Sequence, residues 1–339
     1  MFSGTSGHTT NIWQLKLPIS TMHAEGVPSR LTTSTDREIG PALLADGRIA
    51  YSNWRLTANV WRLSTASGAF SPVTDGELTD SLPSVSRDGS FAVFMRRAGE
   101  ERQMTLKDLR TGMERQLMSS EMADPYISAD GHNIAYSLHN SVYLREAASS
   151  SESIVCRDCG EIVSRTADGQ VAILRVNTGR PDSAIAWLDL QTGQLHRIIS
   201  KPGISEAVMS PDSRLMTFTV RSYGVLSRIY LTRLANGVAV GEPVPITSSD
   251  SWADNAVWSK DEDRIYYSSQ RDGFQCIWMQ DIDPFTNSPR GEPKAVHHMH
   301  KAAFSPTLFS RSAFRMTAGG DSLYFIVGSV EANLWIYQP

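Results

Sequence analysis

With 339 residues, 41% of them apolar, and 36 acidic against 32 basic side chains, the sequence has the make-up of a soluble globular protein with a net charge of −4. No Lys/Arg cluster gives it the electrostatic footprint of a phosphate-backbone binder, and no run approaches the ~18 consecutive apolar residues of a membrane-spanning helix. Three cysteines make no disulfide framework, and the first eight residues have neither the basic start nor the apolar stretch of an export signal, so the chain reads as cytoplasmic as it stands and as periplasmic if it is part of a longer exported parent.

Residues 1–35 read as partial strands: Asn11-Ile12-Trp13 joins apolar to aromatic, as strands on a half-buried surface do, and Arg30-Leu31-Thr32-Thr33 supplies an outer edge. From residue 36 to residue 339 a unit repeats. A turn followed by a short apolar strand occurs as Ala45-Asp46-Gly47-Arg48-Ile49, Arg87-Asp88-Gly89-Ser90-Phe91, Ala129-Asp130-Gly131-His132-Asn133-Ile134 and Ala167-Asp168-Gly169-Gln170-Val171. Weaker copies follow at Asp212, Asp261 and Asp321, and the aspartates are spaced by 42, 42, 38, 44, 49 and 60 residues. Glycine tolerates the positive φ of a tight hairpin and aspartate accepts nearby backbone N–H groups, so each copy predicts a hairpin. An apolar-aromatic pair after most turns predicts a third strand: Val60-Trp61, Val142-Tyr143, Ala186-Trp187, Ile229-Tyr230, Ile277-Trp278 and Leu334-Trp335, with Met104-Thr105-Leu106 in a degenerate unit.

A period near 40 residues, with no sustained 3.6-residue apolar pattern, predicts an all-β protein built as a β-propeller of four-stranded blades. Seven blades with the N-terminal strands helping to close the ring is the expected arrangement, eight the alternative. The whole of 1–339 is expected to form one monomeric propeller domain.

The repeat resembles that of TolB-type propellers, which runs roughly Ser-Pro-Asp-Gly-(Lys/Arg)-apolar-Ala-aromatic; Met209-Ser210-Pro211-Asp212-Ser213-Arg214-Leu215 is its best copy. Cys156-Arg157-Asp158-Cys159-Gly160, the run from Gly291 to His300, and the closing Asp321 to Trp335 resemble the propeller portion of bacterial multidomain signalling proteins, in which the propeller follows a kinase or winged-helix domain. That resemblance implies a non-catalytic module that binds a protein, peptide or small ligand, as the sensor or scaffold part of a signalling or envelope protein. Neither partner domain is in this sequence, and no nucleic-acid contact is expected.

No G-x-S-x-G, H-E-x-x-H, Walker or G-x-G-x-x-G motif is present, so catalysis has no sequence support. The alternative function is a hydrolase or lyase with a divalent cation in the central channel, or a gating propeller separated from a peptidase domain; no cofactor is firmly indicated. Cys156 and Cys159 have chelating spacing but no second pair; the leading reading is structural, ahead of a local disulfide and of zinc. Cys276 is expected to pack as a small apolar side chain. His298 and His300 would share one face of a strand and are weak metal candidates, with no carboxylate or cysteine within a few residues to complete a set.

An acidic residue stands six to eight positions before six of the turns: Glu38, Asp80, Asp124, Glu161, Glu206 and Asp254. In a propeller such positions form a ring at one rim, where they would attract a cation, an amine or a basic peptide; the competing reading is that each caps its own turn. Trp54, Tyr223, Trp252 and Trp258 are candidate stacking residues beside this rim, against the commoner role of packing between blades.

Overall fold

The recurring turn is closed by a side-chain set slightly larger than Asp-Gly. In the computed structural model, Ser86, Ser128, Thr166 and Ser210, each two residues before the turn aspartate, donate a hydroxyl to its carboxylate at 2.7, 2.5, 2.6 and 2.6 Å. The same carboxylate oxygen accepts the N–H two residues on, from Ser90, His132, Gln170 and Arg214, at 2.9 to 3.0 Å. The hydroxyl oxygen in turn accepts the N–H that opens the next strand, from Phe91, Asn133, Val171 and Leu215. All of these bonds join residues within five positions of one another, so this short sequence specifies the turn locally. The hydroxyls of Ser90 and Ser86 hold the Asp88 carboxyl down at about 2.

The structure describes residues 1–339 apart from 7–8, 21, 99–100, 121–122, 178–182, 222–225, 284, 307–313 and 339. Tyr223 therefore lies outside the described residues. All regular elements among the described residues are β-strands, and none is a helix long and apolar enough to cross a membrane. The chain forms two compact units, 1–57 with 328–339, and 58–327.

In the first unit, β1 (Phe2–Ser6) runs antiparallel to β2 (Thr9–Lys16), which is flanked by antiparallel β3 (Glu25–Arg30) and parallel β4 (Arg37–Leu43). β4 pairs with the first half of β5 (Ile49–Ser64). Ile12, Ile49 and Tyr51 form its small core with Leu31 and Tyr337.

The second unit contains the second half of β5, β6 (Phe70–Pro72), and five antiparallel meanders. They are β7 (Thr79–Val85), β8 (Phe91–Ala98), β9 (Glu101–Asp108) and β10 (Glu114–Ser119); β11 (Asp124–Ile127), β12 (Asn133–Leu138), β13 (Ser141–Glu146) and β14 (Glu152–Cys156); β15 (Glu161–Arg165), β16 (Val171–Asn177), β17 (Ser183–Asp189) and β18 (Leu195–Ser200); β19 (Ile204–Met209), β20 (Leu215–Val220), β21 (Arg228–Ala235) and β22 (Val238–Pro245); and β23 (Ala253–Trp258), β24 (Arg264–Ser269), β25 (Cys276–Asp283) and β26 (Ser288–His297). After the short β27 (Phe304–Ser305) come β28 (Met316–Gly319) and β29 (Ser322–Tyr337). A sixth group forms as β28 and β29 pair with each other and β29 with β5, which pairs with β6.

The closing group differs from the expected pattern. Leu334-Trp335 does not form a third strand of its own, because β29 is one 16-residue strand without a turn. The third and fourth places are taken by β5, with Val60-Trp61, and by β6; Thr65 N–H bonds to the Asp321 carbonyl at 2.9 Å. Seven repeats in one ring are not confirmed: among the described residues, unit 58–327 holds six groups of strands, and the repeat anchored at Asp46 lies in the other unit. The boundary between units falls inside β5, where Ser52 to Asn59 has neither Gly nor Pro, and inside β29 at Gly328, which does not interrupt the strand.

Neighbouring meanders share their cores. Val93, Met95 and Met104 pack with Ile127, Ile134 and Tyr136; Ala135 and Val142 with Ile162, Leu174 and Leu188; Ile173 and Ile185 with Ile204, Met216 and Phe218. Ile229 and Leu231 meet Trp258 and Tyr267, and a last cluster joins Val257 and Ile277 to Phe325, Val60 and Phe94, which returns to the first meander. Trp258 is therefore a packing residue, 5% exposed.

Ser86→Ala removes the buried hydroxyl that closes the first of these corners, and is expected to cost about 1–3 kcal/mol in urea unfolding. It should also raise the Asp88 pKa in an NMR titration. Because the folded value lies below the unfolded one, the stability linked to Asp88 is present above about pH 4 and is lost as the pH falls toward 2; the variant should show a shallower loss.

Candidate functional site

Five of the six inner hairpins of the second unit place an acidic residue at or near the start of the first strand; the β28–β29 hairpin has none. Antiparallel register sets the end of the second strand beside it, and in three hairpins an arginine stands there. Asp80 is the Cα partner of Arg96, and Glu161 of Arg175; Arg221 follows β20 just beyond the partner of Glu206. Asp80 and Arg96 form a two-pronged pair, Nε to Oδ1 at 2.8 Å and Nη2 to Oδ2 at 3.0 Å. Arg175 bonds Glu161, and Arg221 bonds Glu206 and reaches Asp254 at 3.4 Å. Asp124 has Ser137 opposite, and its cation comes from Arg315, which also donates to the Pro125 carbonyl at 2.9 Å and lies 4.0 Å over the Tyr126 ring.

Of the six acidic residues singled out in the sequence, five thus lie at the inner-strand starts of the second unit, each in contact with an arginine. Glu38 belongs to the first unit, where Asn11 donates to it at 2.8 Å and Thr32 donates its hydroxyl. Asp80 and Asp254 are 1% and 2% exposed and are not among the cavity-lining residues. Asp124, Glu161 and Glu206 line a cavity of 580 Å³ together with Arg102, Arg175, Arg221 and Arg315, and with an apolar floor that includes Tyr126, Phe218, Phe314 and Met316. The formal charge of these ionisable lining residues is one positive, so the surface is a mosaic of paired charges and not a belt of negative potential.

Burial decides the electrostatics of Asp254 and Asp80. Asp254 is pushed up to about 6, first by burial and then by the Glu206 charge, against the pull of Trp252, Arg221 and Asn255. Trp252 Nε1 donates to it at 2.6 Å and Asn255 Nδ2 at 3.0 Å. Glu206 additionally accepts the Asn255 backbone N–H at 2.9 Å, which ties two adjacent meanders together in the turn-capping manner. Burial likewise raises Asp80 despite Arg96. Gly160 and Gly203, at φ +117° and +75°, press against the carbonyls of Arg175 and Arg221; a Cβ at either would fall far inside van der Waals contact, so these glycines let the arginine end of each hairpin close over the acid.

The remaining sequence candidates lie away from this cavity. Cys156 and Cys159 are free thiols, half-buried and buried; burial and then the Cys156 neighbour push Cys159 up to about 12. Trp54, in the first unit, is stacked by Arg37 at 4.8 Å. His298 and His300 follow β26 and meet Asp272 and Cys276, the partners that the local sequence lacked. Cys276 is fully buried, as expected of it, and its sulfur accepts the Met299 N–H at 3.3 Å. The arginines were not singled out from the sequence, although a basic residue recurs seven to nine positions after three turn aspartates, mirroring the acids before them; Arg315 has no such cue.

No family model matches the chain, and no curated protein matches it. Solved structures do. A putative TolB from Agrobacterium tumefaciens superposes with a TM-score of 0.59 at 14% identity, over 80% of this chain and 98% of that one. TolB from Acinetobacter baumannii gives 0.54 at 14%, over 82% and 66%. An oligogalacturonate lyase in complex with manganese gives 0.52 at 17%, over 74% and 75%. At such identities the likeness establishes the architecture: in fold this is a β-propeller of the TolB-like kind.

Two outcomes are expected at this site. The folded Asp254 holds its proton more tightly than the unfolded chain, so the associated stability is full below about pH 4 and is lost as the pH rises through about 6. Asp254→Asn should abolish that component, about 2 kcal/mol between pH 4 and 7, in denaturant unfolding followed across the range. Gly203→Ala, at positive φ and against the Arg221 carbonyl, should lower stability by about 2 kcal/mol or more in the same assay.

Proposed function

We propose that the protein is a non-catalytic recognition module whose channel cavity takes a charged segment of a protein or peptide partner, as the sensor or scaffold part of a bacterial signalling or envelope protein. The observation that carries this reading is the cavity wall itself, 580 Å³ of space in which Glu161–Arg175, Glu206–Arg221 and Asp124–Arg315 pairs surround an apolar floor. The volume suits a short peptide segment or a small ligand. The partly exposed pairs Glu161–Arg175 and Glu206–Arg221 contribute little to stability, yet they hold donors and acceptors in place for a ligand carboxylate or ammonium group that exchanges into the pair. The single net positive charge of the lining favours a ligand end with a carboxylate.

The alternative of a channel-bound metal enzyme has less support. The acidic oxygens on the cavity wall are already engaged by guanidinium groups, and among the described residues the one group of His, Cys and Asp donors close enough to share an ion contains none of the cavity-lining residues.

A library of short peptides with free carboxyl termini, titrated calorimetrically, should yield saturable one-to-one binders. Arg175→Gln combined with Arg221→Gln should weaken the best of them at least tenfold, about 1.4 kcal/mol, with circular dichroism unchanged. Peptide binders of equal affinity for the wild type and the double variant would place recognition elsewhere and defeat the proposal.

A further inference from the structure

Independently of the channel, the hairpin turn between β24 and β25 brings together four side chains that no role described so far uses. Asp272 stands in that turn beside Gly273, whose φ of +89° sharpens the corner. The Phe274 N–H occupies Oδ1 of Asp272 at 3.3 Å, which leaves Oδ2 turned outward. Cys276 opens β25. On the other side, β26 ends at His297, and the chain then alternates: Met299 is buried at 4% exposure and donates its N–H to the Cys276 sulfur, while His298 and His300 turn the other way.

The result is a tight triangle of ligand atoms. Asp272 Oδ2 lies 2.9 Å from His298 Nδ1 and 3.0 Å from His300 Nε2, and the two imidazole nitrogens are 3.2 Å apart. With the Cys276 sulfur, one ligand atom from each residue lies within 4.8 Å of all the others. Tetrahedral zinc with bonds of ~2.0–2.1 Å to nitrogen and oxygen has ligand-to-ligand edges of roughly 3.3–3.4 Å, so three of the four corners are nearly in place. Without a cation, a carboxylate oxygen receiving both imidazoles leaves two N–H groups converging on one another; a dication at the centre satisfies all three atoms at once. The rings are also fixed from behind, His300 stacked on Phe274 at 4.7 Å between centroids and His298 edge-on to Trp278 at 6.0 Å.

We propose that Asp272, Cys276, His298 and His300 form a zinc site. Thiolate, two imidazoles and a carboxylate are a donor set that zinc accepts, and four protein ligands leave no open position, which marks the site as structural. On binding, the Cys276 S–H bond breaks, its proton passes to solvent, and a sulfur–zinc bond forms; no electron is transferred. The ion pins the β24–β25 turn to the segment that leaves the fifth meander toward the closing group. The spacing D-x3-C followed 22 residues later by H-x-H is too open to stand out as a motif.

The test uses the full chain and zinc chloride alone. After chelator treatment and desalting, added zinc should remain at one equivalent per chain by elemental analysis and raise the thermal midpoint by about 5 °C or more. Cobalt in its place should give tetrahedral visible absorption with a thiolate charge-transfer band. Cys276→Ser should lose that band, and His298→Ala with His300→Ala should lose both the retained zinc and the thermal shift. Retention of less than a tenth of an equivalent by the wild type, or full retention by the double histidine variant, would overturn the assignment, the latter by moving the zinc to other ligands. If the histidine and Cys276 variants fold poorly, Cys156→Ser with Cys159→Ser decides: a thiolate band retained in that variant supports the site, and a band lost there, or absent from the wild type, is equally fatal.

Discussion

A four-stranded meander has two apolar faces and too few residues to cover either, so in the 58–327 unit every sheet depends on the next for its core. The dependence runs through Ile134, Leu174, Phe218 and Tyr267, all nearly inaccessible to solvent, and it closes because β29 accepts β5, which in turn accepts β6. The cluster around Phe325, Val60 and Phe94 draws on the fifth meander, the closing group and the first meander at once. Loss of the β5–β29 pairing would therefore expose apolar faces on both sides of the seam.

That constraint also shapes the channel. Inner strands crowd together, so their polar ends are drawn into partly dry surroundings where an unpaired charge is costly. The arginines at the ends of the second strands answer this hairpin by hairpin, and Arg315 answers it for Asp124, whose own hairpin has no arginine opposite. Where one guanidinium serves two acids, at Arg221, the more buried acid is driven toward its neutral form. The wall that results is charged in both senses, each acid set against an arginine. The four-donor cluster at Asp272 follows a different logic, because its groups meet one another.

The parts of this architecture that were legible in the sequence are the ones closed by short-range contacts. The Asp-Gly corners need only residues within five positions of one another, so they declare themselves in any window that contains them, and the strands between them follow from their apolar-aromatic content. The acids at the inner-strand starts were legible by counting from those corners. Their partners were less so: Arg175 and Glu161 are related by hairpin register, which the pattern allows one to infer, whereas Arg315 and Asp124 are 191 positions apart. Asp272 and Cys276 were not connected with His298 and His300 because Cys276 and His298, 22 positions apart, are separated by the β25–β26 hairpin.

The amino-acid sequence by itself determined the β-meander, its turn chemistry and its repetition, since each is decided by backbone freedom and side-chain hydrogen bonds within one hairpin. Tertiary structure alone decided which strands close the ring, that Ile49–Ser64 and Ser322–Tyr337 run on as unbroken strands, that the acidic ends face arginines, and that Asp272, Cys276, His298 and His300 converge. These outcomes depend on which distant surfaces bury each other, a quantity that no local window contains.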